Sequence, residues 1–142
     1  MGARLQPTVK TFRLPRRLNI PLIYETGTSC QGINDMAFYE LRQYKVQPGK
    51  MNDWLEIMEG EIIPFQVSKG MVICGSFRGE TDDSVYVWMR RFESEAQREA
   101  LYKAVYDSDH WKNDILPRVT NCLDRSAMVV TRIVPTAKST MQ

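Results

Sequence analysis

The apolar and polar positions of this chain fall into a regular pattern from Met36 onward. Phe38–Val46 (FYELRQYKV) is rich in aromatic and branched side chains and predicts a strand. Gln47–Lys50 (QPGK) predicts a turn, with adjacent proline and glycine supplying one restricted and one permissive backbone. Met51, Trp54, Leu55, Met58, Ile62 and Phe65 recur at three- and four-residue steps, the signature of one apolar helix face from about Met51 to Lys69. Pro64 lies inside that run and should kink the helix or end its regular first part. Gly70 is a suitable stop. Two strands, Met71–Arg78 and Ser84–Phe92, are joined by the polar hairpin loop Gly79–Asp83. Ser94 and Gln97 form a capping-box pattern, which predicts a helix from near Glu95 to about Tyr106 with Leu101, Tyr102 and Val105 on its apolar side. Asp107 or Ser108 is placed to cap a further helix through Trp111 and Ile115, which Pro117 should stop. The last strand, Ser126–Val134, precedes the polar tail Pro135–Gln142.

The order β-α-β-β-α-α-β predicts an α+β domain, a ferredoxin-like antiparallel sheet with helices on one face. Such a sheet has a second face to account for. Period-two alternation sets Phe38, Glu40, Arg42, Tyr44 and Val46 against Tyr39, Leu41, Gln43 and Lys45. It likewise sets Tyr86, Trp88 and Arg90 against Val85, Val87 and Met89, and Met128, Val130 and Arg132 against Ala127, Val129, Thr131 and Ile133. A solvated face should carry plain polar residues. Large aromatics and aliphatics mixed with isolated charges instead predict a partly buried second face, packed on the same sheet of another subunit. A homodimer, paired as a dimeric α/β barrel, is the expected assembly.

Charge divides the chain at the same place as the pattern. Five of the 19 basic and two of the 17 acidic side chains lie in residues 1–35, leaving 14 basic and 15 acidic groups for the rest. The basic pI therefore carries no argument for nucleic-acid binding by the folded part. Met1–Asp35 has no helical or strand periodicity and contains Pro7, Pro15 and Pro21. Three readings of it stand: translation beginning at Met36, an unstructured or loosely docked arm, and a targeting segment in the acid-free residues 1–24. The first is preferred. Residues 1–35 are thus expected to be an unstructured or loosely ordered extension, and 36–142 the domain. No apolar stretch approaches the roughly 20 residues of a membrane span.

Cys30, Cys74 and Cys122 are odd in number and unrelated in spacing, and the single histidine, His110, is near none of them. No structural metal, disulfide framework or cofactor is expected, and a reduced, cytoplasmic setting follows, or a mitochondrial one if residues 1–24 are a targeting segment. His110, beside Trp111 and followed by Lys112 and Asp114, is expected on a solvated surface rather than as a haem ligand. Glu56 and Glu59 at helical spacing are expected to face water.

The candidate chemistry lies on the strands. Glu40, Arg42 and Tyr44 project from one face at two-residue steps. A carboxylate beside a guanidinium and a phenol suits binding of an acidic or enolisable small molecule, with Glu40 or Tyr44 exchanging a proton. The competing and preferred reading is a buried ion pair holding the sheet together. Trp88 and Arg90 suit an aromatic wall and an anion contact, or equally anchors of the dimer-facing sheet. Arg132 belongs with them as a weaker ligand-binding candidate.

FYELRQYKVQPGKM at 38–51, VWMRRFES at 87–94 and VYDSDHWKNDILPRV at 105–119 resemble the NIPSNAP family, within the dimeric α/β-barrel superfamily. The resemblance covers essentially all of 36–134 and leaves Met1–Asp35 unmatched. It implies a domain beginning at the first strand, as bacterial members do, which favours a start at Met36. It also implies a superfamily of cofactor-free monooxygenases, haem-degrading enzymes and isomerases that use a cavity between sheet and helices, and animal relatives that are mitochondrial and linked to signalling. It transfers no catalytic residue, and fold does not imply function. Three functions are therefore expected in competition: a homodimer binding a small organic molecule beside its sheet, a cofactor-independent oxygenase or isomerase, and a non-catalytic interaction protein.

Overall fold

The computed structural model describes residues 36–142, and the expectations for Met1–Asp35 lie outside them. Strand β1 (Phe38–Val46) is followed by a turn in which Gly49 takes φ 73°, a left-handed backbone that favours glycine. Helix α1 (Met51–Ile57) then runs through a π-helical turn, Met58–Ile62, into α2 (Ile63–Ser68). Strands β2 (Val72–Arg78) and β3 (Val85–Phe92) form the expected hairpin. Helix α3 (Glu95–Tyr106) follows, then a second π-helical turn, His110–Ile115, α4 (Leu116–Cys122) and β4 (Leu123–Ile133).

The helix after Ser108 is a correction. Pro117 does not stop it; the helix continues to Cys122. Both prolines sit at the start of an α-helical stretch, immediately after a π turn. A proline inside a regular helix loses one backbone donor and crowds the carbonyl four residues back. The wider π turn before Pro64, and again before Pro117, relieves both costs. The Ser108 hydroxyl caps the start of this second helix by accepting from the Trp111 amide at 3.2 Å.

Ser94 caps α3 as its pattern predicts, accepting from the Gln97 amide at 3.2 Å. The Gln97 side chain returns to the amide of Glu93, at 2.7 Å, one residue earlier than the usual box. Ser94→Ala is expected to lower stability by about 1 kcal/mol, read as a shift in the denaturant midpoint at unchanged slope. An unchanged midpoint would remove the cap from the account.

The four strands form one antiparallel sheet in the order β2-β3-β1-β4, the ferredoxin-like arrangement expected from the element order. All helices lie on one face. Which residues face them is the reverse of the sequence expectation. Phe38, Glu40, Arg42, Tyr44 and Val46 of β1 are buried beneath the helices, and so are Tyr86, Trp88, Arg90 and Phe92 of β3. The register places them side by side: Phe38 opposite Phe92, Glu40 opposite Arg90, Arg42 opposite Trp88 and Tyr44 opposite Tyr86. Trp88 and Arg90 are therefore not anchors on a dimer-facing surface.

The open face carries the other set, Leu41, Gln43, Val87 and Met89, flanked by Val72 and Phe77 on β2 and by Val129 and Ile133 on β4. Phe77 is 61% exposed, and Val72 and Val129 are close to half exposed. At one corner the segment after β4 folds back over this face, where the backbone carbonyl of Gln142 accepts from the Tyr39 hydroxyl at 3.0 Å and from Arg91 Nε at 2.7 Å. Among the described residues no helix is long and apolar enough to cross a membrane.

Candidate functional site

The core between sheet and helices is aromatic. Trp54 of α1 stands edge-on to Tyr44 and to Tyr86, with ring centroids 6.0 and 5.5 Å apart, and Trp88 is edge-on to Tyr44 at 6.2 Å. Next to this cluster a cavity of about 180 Å³ remains. Its aromatic walls are Tyr44, Trp54, Trp88, Tyr106 and Trp111, and aliphatic side chains from the two π-containing helical segments and β4 close it. Arg42, Gln66 and Arg125 are the polar side chains at its lining besides the two tyrosines. All three tryptophans of the chain reach it. Both π turns contribute, Met58 and Ile62 from one and Trp111 from the other. Such turns recur at functional sites because they displace side chains from regular helical positions.

Behind one wall lies a buried charge cluster centred on Glu40. Its carboxylate accepts from Arg42 Nη1 at 2.9 Å, from Arg90 Nη2 at 2.7 Å and from the Tyr102 hydroxyl at 2.7 Å. Burial alone pushes this carboxyl up, but the Tyr102 hydrogen bond and the charges of Arg90 and Arg42 outweigh it and hold it below the usual glutamate range. Arg90, 0% exposed, also donates through Nη1 to Gln66 Oε1 at 3.1 Å and to the Tyr106 hydroxyl at 2.8 Å. Because Gln66 Oε1 accepts from Arg90, its Nε2 is left as a donor, and it has no partner among the described residues. The indole Nε1 of Trp54 is orphaned in the same way. That of Trp88 makes no well-aligned hydrogen bond, although it lies near enough to the Tyr44 hydroxyl to counter slightly the rise in that phenol's pKa.

Arg42 joins the cluster to the cavity. Its Nε donates to the Tyr44 hydroxyl at 2.6 Å, and its Nη1 is shared by Glu40 and Tyr102. Burial foremost raises the Tyr44 pKa, with the nearby Arg42 charge opposing it, so the phenol stays protonated at neutral pH.

The structure thus brings Glu40, Arg42, Tyr44, Trp88 and Arg90 together. Arg42, Tyr44 and Trp88 line the cavity, while Glu40 and Arg90 stand behind it. Arg132 does not join them. Its register position is opposite Glu40, but its side chain is 53% exposed, pairs with Glu95 and lies 3.4 Å over the Phe38 ring. His110 is partly exposed and bridges the two π turns, with Nδ1 2.9 Å from Asp114 and Nε2 3.5 Å from Glu61. Among the described residues no group of three or more His, Cys, Asp and Glu side chains is gathered to hold a metal ion.

Besides Trp54, Trp111 and Arg125 at the cavity lining, three residues of the charge cluster went unassigned at the sequence level. Tyr102 and Tyr106 come from one face of α3, one helical turn apart, and Gln66 comes from α2. Gln66 carried a readable signal. It continues the spacing Met58, Ile62, Gln66, and a lone amide on an apolar helix stripe needs a buried partner.

Residues 39–138 match the NIPSNAP family model. A mouse protein, NipSnap homolog 3B, is 25% identical over 94% of this chain, and the human NipSnap homolog 3A is 27% identical over 73% of it. The chain spans about half the length of these curated relatives. Among solved structures, a NIPSNAP family protein from Agrobacterium tumefaciens superposes with a TM-score of 0.68 at 22% identity, over 76% of this chain and 96% of that one. A putative antibiotic biosynthesis monooxygenase from Caulobacter crescentus superposes at 0.55 and 15% identity, over 72% of this chain and 92% of that one, a likeness of fold alone. With the family model covering most of the sequence and the same four-stranded α+β fold in its solved relatives, this chain belongs to the NIPSNAP family.

Proposed function

We propose that this NIPSNAP domain is a homodimer in which each protomer binds a small organic molecule in the cavity between its sheet and its helices. The observation that carries the ligand is the set of buried N–H donors at the cavity lining. Trp54 Nε1 and Gln66 Nε2 have no acceptor among the described residues. A buried unsatisfied donor costs about 1–3 kcal/mol, and a ligand that supplies acceptors at this lining would remove that cost. The aromatic walls favour a ligand with a flat apolar body. Native mass spectrometry of the full chain purified from cell extract, before and after denaturation, should release a small molecule. Protein that is ligand-free under gentle conditions and shows no tryptophan fluorescence response to any fragment of a small-molecule library would overturn this reading.

The apolar open face supports the dimer. A face carrying Leu41, Phe77, Val87, Met89 and Val129 is unsuited to water, and pairing two such faces would cover these side chains. Sedimentation should give a dimer for the full chain, and Val87→Lys, a charge at the middle of that face, should shift it to monomer at micromolar concentration. A folded wild-type monomer would sink the assembly.

One observation favours a catalytic variant of the same reading. Tyr44 lines the cavity as a protonated phenol whose oxygen already accepts from Arg42, leaving its proton free to donate to a ligand. Glu40 is a poor base here, since its carboxylate is held in the charged form by three donors. Tyr44, as acid, is the residue to substitute when an activity is found; unchanged turnover in Tyr44→Phe would end this version.

A further inference from the structure

The charge cluster behind the cavity does not balance. Among the described residues Glu40 is the only carboxylate bonded to the two buried arginines, whose other oxygen acceptors are the hydroxyls of Tyr44, Tyr102 and Tyr106 and the amide of Gln66. One positive charge is therefore left over beneath the helices. An isolated buried cation is strongly disfavoured unless an anion approaches it. Arg42 is where that anion has access. Its Nε and Nη1 are committed within the cluster, whereas Nη2 makes no hydrogen bond among the described residues, and the side chain lines the cavity. The other polar groups at the lining point the same way. Gln66 Nε2 is held as a donor by the Arg90 contact, and Trp54 Nε1 can only donate. Arg125 adds a second positive charge to the lining, and among the described residues no acidic side chain lines it.

Size and shape narrow the class further. The cavity, at about 180 Å³, is smaller than the roughly 300 Å³ at which sites for drug-sized ligands begin. It suits one ring rather than a fused system. Its walls are five aromatic side chains, which favour a planar partner over a puckered one.

We propose that the cavity is a site for a single-ring aromatic carboxylate, its carboxylate received by Arg42 Nη2 with Gln66 Nε2 and its ring held among the aromatic walls. This rests on the cavity being a ligand site at all, and it adds the charge and the shape of what binds. The carboxylate neutralises the surplus charge and supplies the acceptors that the lining lacks.

The test is a titration of the full chain at neutral pH with benzoate, its neutral isostere benzamide and the non-planar anion cyclohexanecarboxylate. Calorimetry gives the affinity, and tryptophan fluorescence gives the location, because all three tryptophans line the cavity. Benzoate should bind at least about tenfold more tightly than either analogue, as expected for one charge-assisted hydrogen bond and one stacked ring. Arg42→Met should weaken benzoate by about ten- to a hundredfold and leave benzamide little changed. Gln66→Glu is the control against misfolding: it keeps an acceptor for Arg90 but turns the cavity donor into an anion, and should also abolish the preference for benzoate. Benzamide binding as well as benzoate would overturn the anionic class while leaving a small-molecule cavity standing. Benzoate binding untouched by Gln66→Glu would overturn the assignment to this cavity. No fluorescence or heat response to any of the three at millimolar concentration would overturn both the class and the cavity reading.

Discussion

Glu40→Gln is expected to lower the unfolding free energy by about 3–5 kcal/mol at neutral pH, although the two side chains have nearly the same shape. The cause is the pair of buried arginines. Arg42 and Arg90 both donate to the Glu40 carboxylate at under 3 Å, and an amide leaves the two cations facing each other with no counter-charge. The effect has a pH signature. The folded state holds the Glu40 carboxyl below its ordinary value of 4.5, so its stabilising contribution is complete above that value. It is lost as pH falls through the lower folded value. The gap between wild type and Glu40→Gln, measured by urea denaturation, should be widest near neutrality and narrow on the acid side. A gap that stays constant down the acid limb would show that the carboxylate's charge is not what holds the cluster together.

Trp54→Ala should cost a similar amount, about 3–5 kcal/mol, for a different reason. Trp54 is 1% exposed and is the keystone between the sheet rings Tyr44 and Tyr86 and the first helix. Its removal leaves a void beside an existing cavity, which the surrounding rings cannot collapse to fill. Trp54→Phe separates packing from hydrogen bonding, because it keeps most of the ring and deletes an indole N–H that has no partner among the described residues. It should cost clearly less than the alanine change in the ligand-free protein. Denaturation curves decide this, and a loss below about 1 kcal/mol for Trp54→Ala would mean that the rings do not form a packed core.

The backbone pattern was legible with little error. Strand β1, helix α3 and the Ser94 cap are local features, and local features depend on side chains a few residues apart. The exception, Pro117, shows where locality ends. A proline breaks a helix only if the preceding turn is α-helical, and whether that turn widens to a π turn depends on what the helix packs against.

The faces of the sheet were a harder problem. Alternation divided each strand into two sets correctly, yet charged residues in one set argued for placing it on the open side. On β1 and β3 that set is the buried one, and the plainer set lies on the open face. The reason is compensation at long range. Glu40 and Arg42 are tolerable inside because Arg90 comes from a strand 50 residues away, and Tyr102 and Tyr106 come from a helix that no strand pattern includes.

By itself, then, the amino-acid sequence determined the elements, their order, the ferredoxin-like α+β class and the pairing of side chains by face, since period and capping act within a few residues. The tertiary structure alone decided which face is covered, which arginines share Glu40, and that Gln66, Trp54 and Arg42 converge on one cavity. Those outcomes depend on burying charge, and the cost of burying a charge is set by partners that only the folded chain brings near.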